Sequence, residues 1–254
     1  MRFEKKVVSI VLCLIMAFGT VAAGSNDITN FISVTDIKAS AADSYSVGDI
    51  IKYGSYPQTD VTDELGDVLN SIDGTWQSYG YYSGNTDGEP TISDYMWYKD
   101  VTYKNYQYRG VMFDNNRPAE TDEGFGRHPN YQQGNGYSIG ETYWFRYDPI
   151  KWRVLDPSDG LVISETIIDS QPYDNNGDGN YHSCSLRQWL NEDFYNFAFS
   201  EEQKLIIQTT SIKAAPEGRI NDKIFLPSRE EIKNSNESTE DHYKAYCFKG
   251  SDYA

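Results

Sequence analysis

Apolar residues recur at helical spacing most clearly in residues 184–207. Leu186, Trp189, Leu190 and Phe194 fall on one face of that stretch, and Arg187, Gln188, Glu192 and Asp193 on the other. This predicts a packed helix with one buried side. Ser200-Glu-Glu-Gln203 is a capping box, in which the serine oxygen takes the third backbone N–H and the glutamine reaches back to the serine N–H. Ser228-Arg-Glu-Glu231 repeats the device after a short apolar strand, Lys223-Ile-Phe-Leu226.

Upstream the period is two. Residues 47–56 alternate as a strand that Pro57 is expected to end, and residues 60–69 suit a short helix capped by Thr62 with Leu65, Val68 and Leu69 inward. Residues 95–103 and 106–113 predict a hairpin turning at Lys104-Asn105. Residues 114–140 keep no period and predict a long surface loop. The chain then gives residues 143–147, a turn at Asp148-Pro149, residues 150–155, a second turn over residues 156–160 and residues 161–165. Ile150, Trp152 and Val154 share one face, which makes this meander the expected centre of the sheet. Strands first and helices later give an α+β class: a mixed, mostly antiparallel sheet with two or three flanking helices.

The beginning of the chain changes where that domain starts. Arg2, Lys5 and Lys6 precede an apolar run over residues 7–21 and the small residues Val21-Ala22-Ala23, the pattern of a cleavable secretory signal. A second candidate cleavage site is Ala39-Ser40-Ala41. A retained membrane anchor is the competing reading, but the run is shorter than the ~20 residues of a spanning helix. Cys13 lies in the run without a lipobox. Residues 1–41 are therefore expected to be signal peptide and leader, and residues 42–254 a single extracellular domain. Secretion or attachment to the cell wall follows, without membrane insertion after cleavage.

Charge narrows the partners. The chain carries 22 basic and 38 acidic residues, and removal of residues 1–41 leaves 18 against 35. Such a surface repels nucleic acid and anionic lipid, both of which require a positive patch. Neutral ligands and cations remain. The clustered rings between Trp76 and Phe113 admit two readings, stacking platforms for sugars or the packing of the sheet itself; their spread through strands favours packing.

Candidate chemistry is sparse. In Asp174-Asn-Asn-Gly-Asp-Gly-Asn180, the oxygens of Asp174, Asn176 and Asp178 and the following Gly179 match positions 1, 3, 5 and 6 of an EF-hand-type calcium loop. Position 12, where a bidentate glutamate belongs, is Ser185. A polar Asx-rich turn accounts for the same composition. Cys184 and Cys247 form a disulfide candidate in an oxidising compartment, with two separate buried thiols as the other reading. His128, His182 and His242 stand in polar surroundings, with no nucleophile elbow, His-Glu-x-x-His or phosphate loop in the sequence, so no catalytic residue is assigned.

Residues 47–57, Ile150-Lys-Trp-Arg-Val-Leu155, Ser185-Leu-Arg-Gln-Trp-Leu-Asn-Glu-Asp-Phe194 with Ala198-Phe199, and Asp222-Lys-Ile-Phe-Leu226 together resemble a family of Gram-positive bacterial extracellular domains of unknown function. The resemblance covers most of residues 47–254 and is carried best by Leu-Arg-x-Trp-Leu-Asn. Such domains are similar to the C-type-lectin-like group, which implies a loop-rich ligand face. The family pattern continues with further strands beyond the position of Ala254, so the domain is expected to be incomplete here. The catalytic cysteine pair of the sulfatase-activating enzymes, which share that fold, has no counterpart. The expectation is a secreted or cell-surface, adhesin-like binding module for a glycan or a surface protein; an extracellular glycan-directed enzyme and a structural spacer are the alternatives.

Overall fold

A computed structural model describes residues 9–11, 14–18, 45–82, 95–112, 122–123, 126–127, 138, 140–174, 179–214, 218–227 and 251–253. The strands in chain order are β1 (Ser9–Val11), β2 (Ile15–Phe18), β3 (Ile50–Asp60), β4 (Gln77–Tyr82), β5 (Tyr95–Tyr103), β6 (Tyr106–Met112), β7 (Asp122–Glu123), β8 (Gly126–Arg127), β9 (Thr142–Asp156), β10 (Leu161–Ser164), β11 (Ser170–Pro172), β12 (Ile207–Gln208), β13 (Thr210–Ala214), β14 (Gly218–Asp222) and β15 (Ile224–Phe225). Nine of them form one sheet, ordered β12-β2-β10-β9-β6-β5-β4, with β3 also pairing β9 and β15 also pairing β2. Every pairing among the described strands is antiparallel. The mostly antiparallel, helix-flanked sheet expected from the sequence is present.

β9 is the axis, as its apolar alternation predicts. It pairs β6 over Thr142–Arg146, β10 over Trp152–Asp156, and β3 along its length. The expected turn at Asp148-Pro149 is not formed: both residues lie inside one 15-residue strand. Phe145 and Tyr147 are buried at odd positions, whereas Ile150, Trp152 and Val154 are buried at even ones. The buried alternation shifts by one residue there, beside β3 bulges that carry the extra residues. β3 slips beside it: its register shifts between Lys52 and Ser55, so that Tyr53 and Tyr56 both reach the core. Gly54, at φ +70°, takes the left-handed conformation this requires, and a Cβ there would lie 2.7 Å from the Ala198 carbonyl oxygen. Pro57 does not end β3, which runs on to Asp60. Gln58 Nε2 bonds the Asp148 carbonyl of β9 at 2.8 Å.

Each sheet face carries helices. α1 (Thr62–Asn70) covers a cluster of Val61, Leu69, Val101, Tyr108 and Trp144. Thr62 is not its cap: Val61 holds that position with no side-chain bond, the Thr62 hydroxyl takes the Trp144 N–H at 2.8 Å, and Val68, expected inward, is exposed. The helix is oriented by bonding to β9 rather than by its own first turn. On the main cluster lie α2 (Ser185–Trp189), a wider i→i+5 turn (Leu190–Phe194), α3 (Tyr195–Ala198) and α4 (Glu201–Lys204). Leu186, Leu190 and Phe194 are buried and Trp189 half-buried, as the periodicity predicts. The Ser200 capping box is formed in both directions, at 3.3 and 3.0 Å. The Ser228 box lies outside the described residues.

The β5–β6 hairpin turns at Lys104 and Asn105, both at positive φ, as a two-residue connection between twisted strands demands. Two of its rings, Tyr98 and Tyr108, are buried while Tyr106 is exposed, and the Arg109 guanidinium lies 4.4 Å from the Tyr98 ring centroid while forking onto Asp100 at 2.8 and 2.8 Å. Within the expected loop of residues 114–140, β7 and β8 form a two-residue ladder. No described helix is long and apolar enough to cross a membrane.

β2 comes from the segment expected to be cleaved. It lies inside the sheet, with Leu14, Met16 and Ala17 buried.

Candidate functional site

The surface where loops converge is built by the start of α2. Cys184 ends the preceding segment in an extended conformation and caps the helix: its sulfur takes the Arg187 N–H at 3.4 Å and donates to the Tyr181 carbonyl at 3.3 Å. The capping turn aims Arg187 away from the core. There its Nε lies 2.9 Å from both Asp222 carboxylate oxygens, and another guanidinium nitrogen gives 2.7 Å to the His182 carbonyl. The bond to Asp222 raises the Arg187 pKa further above its ordinary value, against the opposing effect of burial. Asp222 is 3% exposed, so its charge is matched by a charge-assisted bond rather than by water.

One turn later, Asn191 does what a strand neighbour would do. Its Nδ2 donates to the Ile224 carbonyl at 2.9 Å and its Oδ1 accepts the Lys223 N–H at 2.8 Å. Lys223 then extends its ammonium to the Tyr195 hydroxyl at 3.0 Å, over the Tyr195 ring. In Leu-Arg-x-Trp-Leu-Asn, therefore, the leucines fill the core while Arg187 and Asn191 clamp the segment from Asp222 to Ile224. The sequence singled out both pieces without joining them. The available signal was a charged and an amide residue four apart, one turn of helix, aimed at a segment with an acid at its start.

Two clefts flank this clamp. The narrower, about 450 Å³, is bordered by His182, Arg187, Gln188, Glu192, Asn221 and Lys223. The wider, about 1040 Å³, has Tyr173 and Tyr181 on its wall, Ser158 and Asp159 from the β9–β10 turn, and Lys213 and Arg219 from the β13–β14 hairpin. In the wider cleft, the Tyr181 hydroxyl accepts the Leu226 N–H at 3.4 Å, and burial first, then the nearby Asp222 charge, raises its pKa far above the ordinary phenol. It stays neutral and serves as ring and hydrogen-bonding group.

The expected sites fall around this surface unevenly. Asp174 is buried, and its Oδ2 accepts the Gly179 N–H, five positions on, at 2.9 Å. Asn176 and Asp178 lie outside the described residues. Among the described residues no three His, Cys, Asp or Glu gather as a metal site. Cys184 carries a free, buried thiol whose pKa is raised, by burial first; Cys247 lies outside the described residues. His182 is exposed at the cleft edge, and His128 and His242 lie outside the described residues. A protonated Cys184 sulfur committed to two backbone groups has the opposite character to a nucleophilic thiolate.

Comparison with known families matches residues 157–254 to a family described as Domain of unknown function (DUF6273). The match begins at the β9–β10 turn and contains the whole clamp. No curated protein and no solved structure matches the chain.

Proposed function

We propose that the protein is a secreted or cell-surface binding module whose ligand is a neutral glycan, held in the wider cleft beside Tyr181. The observation that carries this reading is the cleft's chemistry: two half-buried tyrosine rings, Tyr173 and Tyr181, stand among hydroxyl, amide and guanidinium groups in about 1040 Å³. Sugar faces stack on rings, and sugar hydroxyls pair with such mixed donors and acceptors. The likeness to the C-type-lectin-like group belongs to the same proposal, through its expectation of ligand binding on a loop-rich face.

The enzymatic alternative draws less support from this surface. Hydrolysis of a glycosidic bond uses two carboxyl groups flanking the bond. Asp159 is the single carboxylate among the described residues bordering the wider cleft, and of the two bordering the narrower one, Glu192 and Asp222, the second is bound by Arg187. A glycan array probed with the full chain tests the proposal. Binding that Tyr181→Ala weakens more than tenfold supports it; absence of binding to any sugar overturns it, and turnover of a bound sugar moves the protein to the enzymatic reading.

A further inference from the structure

The β13–β14 hairpin leaves the main sheet between β12 and β15: Gln208 pairs Ala17 before it, and Ile224 pairs Met16 after it. Its two strands form a sheet of their own, in which β13 pairs no described strand except β14. The wider cleft runs along the other edge of β13. All five of its residues, Thr210–Ala214, border that cleft, whereas β14 contributes Arg219 alone. Consecutive residues of a strand point to opposite faces, so a cleft that meets all of them follows the strand's edge. Leu161, Phe225 and Leu226 border the same space.

One end of this edge carries two charges of one sign. Lys213 stands directly opposite Arg219 in the ladder, and both are exposed. Like charges directly opposite one another destabilise a sheet. Among the described residues Lys213 has no hydrogen-bond or ion-pair partner, and Arg219 bonds the Ser211 hydroxyl at 2.9 Å and the Ser211 carbonyl at 2.5 Å. Two cations side by side without an acid are out of keeping with a chain of 38 acidic and 22 basic residues. A single lysine is enough to guard an edge strand against self-pairing. The facing pair makes a place for an anion. Net charge alone left neutral ligands and cations as partners, and this pair is a local exception, since salt screens the rest of the surface beyond about 8 Å. The other face of β13 is apolar: Ala214 is buried, and Ile212 packs on the cluster of Ile163 and Phe225.

We infer that the free edge of β13 is a docking site for an extended acidic peptide of a partner protein, which adds a third strand to the hairpin. Main-chain bonds supply affinity and alternate side chains supply selectivity. The peptide places an acid beside Lys213 and Arg219, and its neighbours on either side are apolar and turn to the face of Ile212 and Ala214. A second copy of this edge would bring the same cations to it. The inference goes beyond the glycan reading and does not depend on it, because the strand edge and the Tyr173–Tyr181 wall are different sides of a cleft of about 1040 Å³.

The probe is a fluorescent, end-capped pentapeptide, Ala-Glu-Val-Ser-Val, written to lie antiparallel with its glutamate opposite Lys213, and titrated onto the full chain by anisotropy. Saturable binding is expected. Lys213→Glu sets an acid against Arg219, so it should keep or raise the melting temperature while weakening binding more than tenfold. Glutamine in place of the peptide's glutamate should weaken binding similarly. N-methylation of alternate peptide amides separates strand pairing from simple charge attraction: the set facing β13 abolishes binding and the set facing solvent spares it. No saturable binding at about 1 mM peptide, equal effects of the two methylated sets, or unchanged binding by Lys213→Glu overturns the inference. A dimer of the full chain that Lys213→Glu dissociates gives the edge to a second copy and overturns it as well. Sugar binding without peptide binding sinks this inference alone, and peptide binding without sugar binding sinks the glycan reading alone.

Discussion

Arg187 and Asp222 stand 35 positions apart in the chain, yet Arg187 Nε lies 2.9 Å from each Asp222 carboxylate oxygen, with a further nitrogen 2.8 Å from Oδ1. The Asp222 side chain is nearly inaccessible and that of Arg187 about one-quarter exposed. Losing one member strands the other. Asp222→Ala is expected to lower unfolding free energy by about 3 kcal/mol, and Arg187→Lys by less, since an ammonium keeps the charge but not the fork. Urea unfolding of each single variant and of the double Arg187→Met, Asp222→Leu checks this; the double should cost less than the two singles together.

The Trp144 ring packs directly against Gly110. A Cβ on Gly110 would stand 2.8 Å from the Trp144 ring, which is buried and tied through Nε1 to Asn70 at 2.9 Å. The ring has little room to move. Gly110→Ala should destabilise by about 2 kcal/mol and alter the near-ultraviolet signal of the tryptophans, whereas a replacement at open Gly179 meets no atom within 4 Å. Only the left-handed backbone of Gly179, at φ +72°, would then be strained.

Asp156 gathers the turn that follows β9: its Oδ1 accepts from the Ser158 hydroxyl at 2.6 Å, the Ser158 N–H at 2.8 Å and the Asp159 N–H at 3.3 Å. These bonds favour the carboxylate and lower its pKa below the ordinary aspartate value, with the hydroxyl contributing most. A depressed folded pKa means that the turn is fully held above the unfolded value near 3.8 and released as pH falls through the folded one. Titration of the carboxyl carbon by NMR should give a midpoint below that of a model peptide, moving upward in Ser158→Ala.

Burial raises the Cys184 thiol pKa above its ordinary value of 9.0. The native state then holds its proton longer than the unfolded one, so this thiol's contribution to stability falls as pH rises above the unfolded value. Iodoacetamide mapping by peptide mass should show Cys184 unlabelled at pH 8 and labelled in urea. A Cys184–Cys247 linked peptide from protein prepared under oxidising conditions would instead establish the disulfide expected from the sequence.

Asp174 already spends one oxygen on the Gly179 N–H. A loop closed by that bond should keep its melting temperature at millimolar calcium and lose about 1 kcal/mol in Asp174→Ala. A rise of several degrees with calcium would assign the Asp174, Asn176 and Asp178 oxygens to the ion.

What could be read from the sequence depended on the range of its cause. The Lys104-Asn105 turn and the Ser200 capping box are set within four residues, and both formed as expected. Asp148-Pro149 reads as a turn in the sequence but lies inside a continuous strand, because whether the chain turns there is decided by β3, whose register shift at Gly54 and whose Gln58 bond to Asp148, 90 positions away, accommodate it. Thr62 has the composition of a cap, but Trp144 of β9 claims its hydroxyl. At the candidate site, Leu186, Leu190 and Phe194 were identified by period alone. The duties of Arg187 and Asn191 were hidden, because both are polar positions on a helix whose partners arrive after an intervening hairpin.

β9 meets β3 through pairs such as Ile51 with Trp152, and the Trp152 indole bonds the Tyr53 carbonyl 99 positions away at 2.8 Å. A nascent chain therefore holds β3 without its main partner until the second half of the sequence has been made. Loop closure of that span precedes its reward, which places assembly of this sheet among the slower topologies. A refolding rate governed by the β3–β9 union would be slowed by Gly54→Ala more than by changes in the local β5–β6 hairpin.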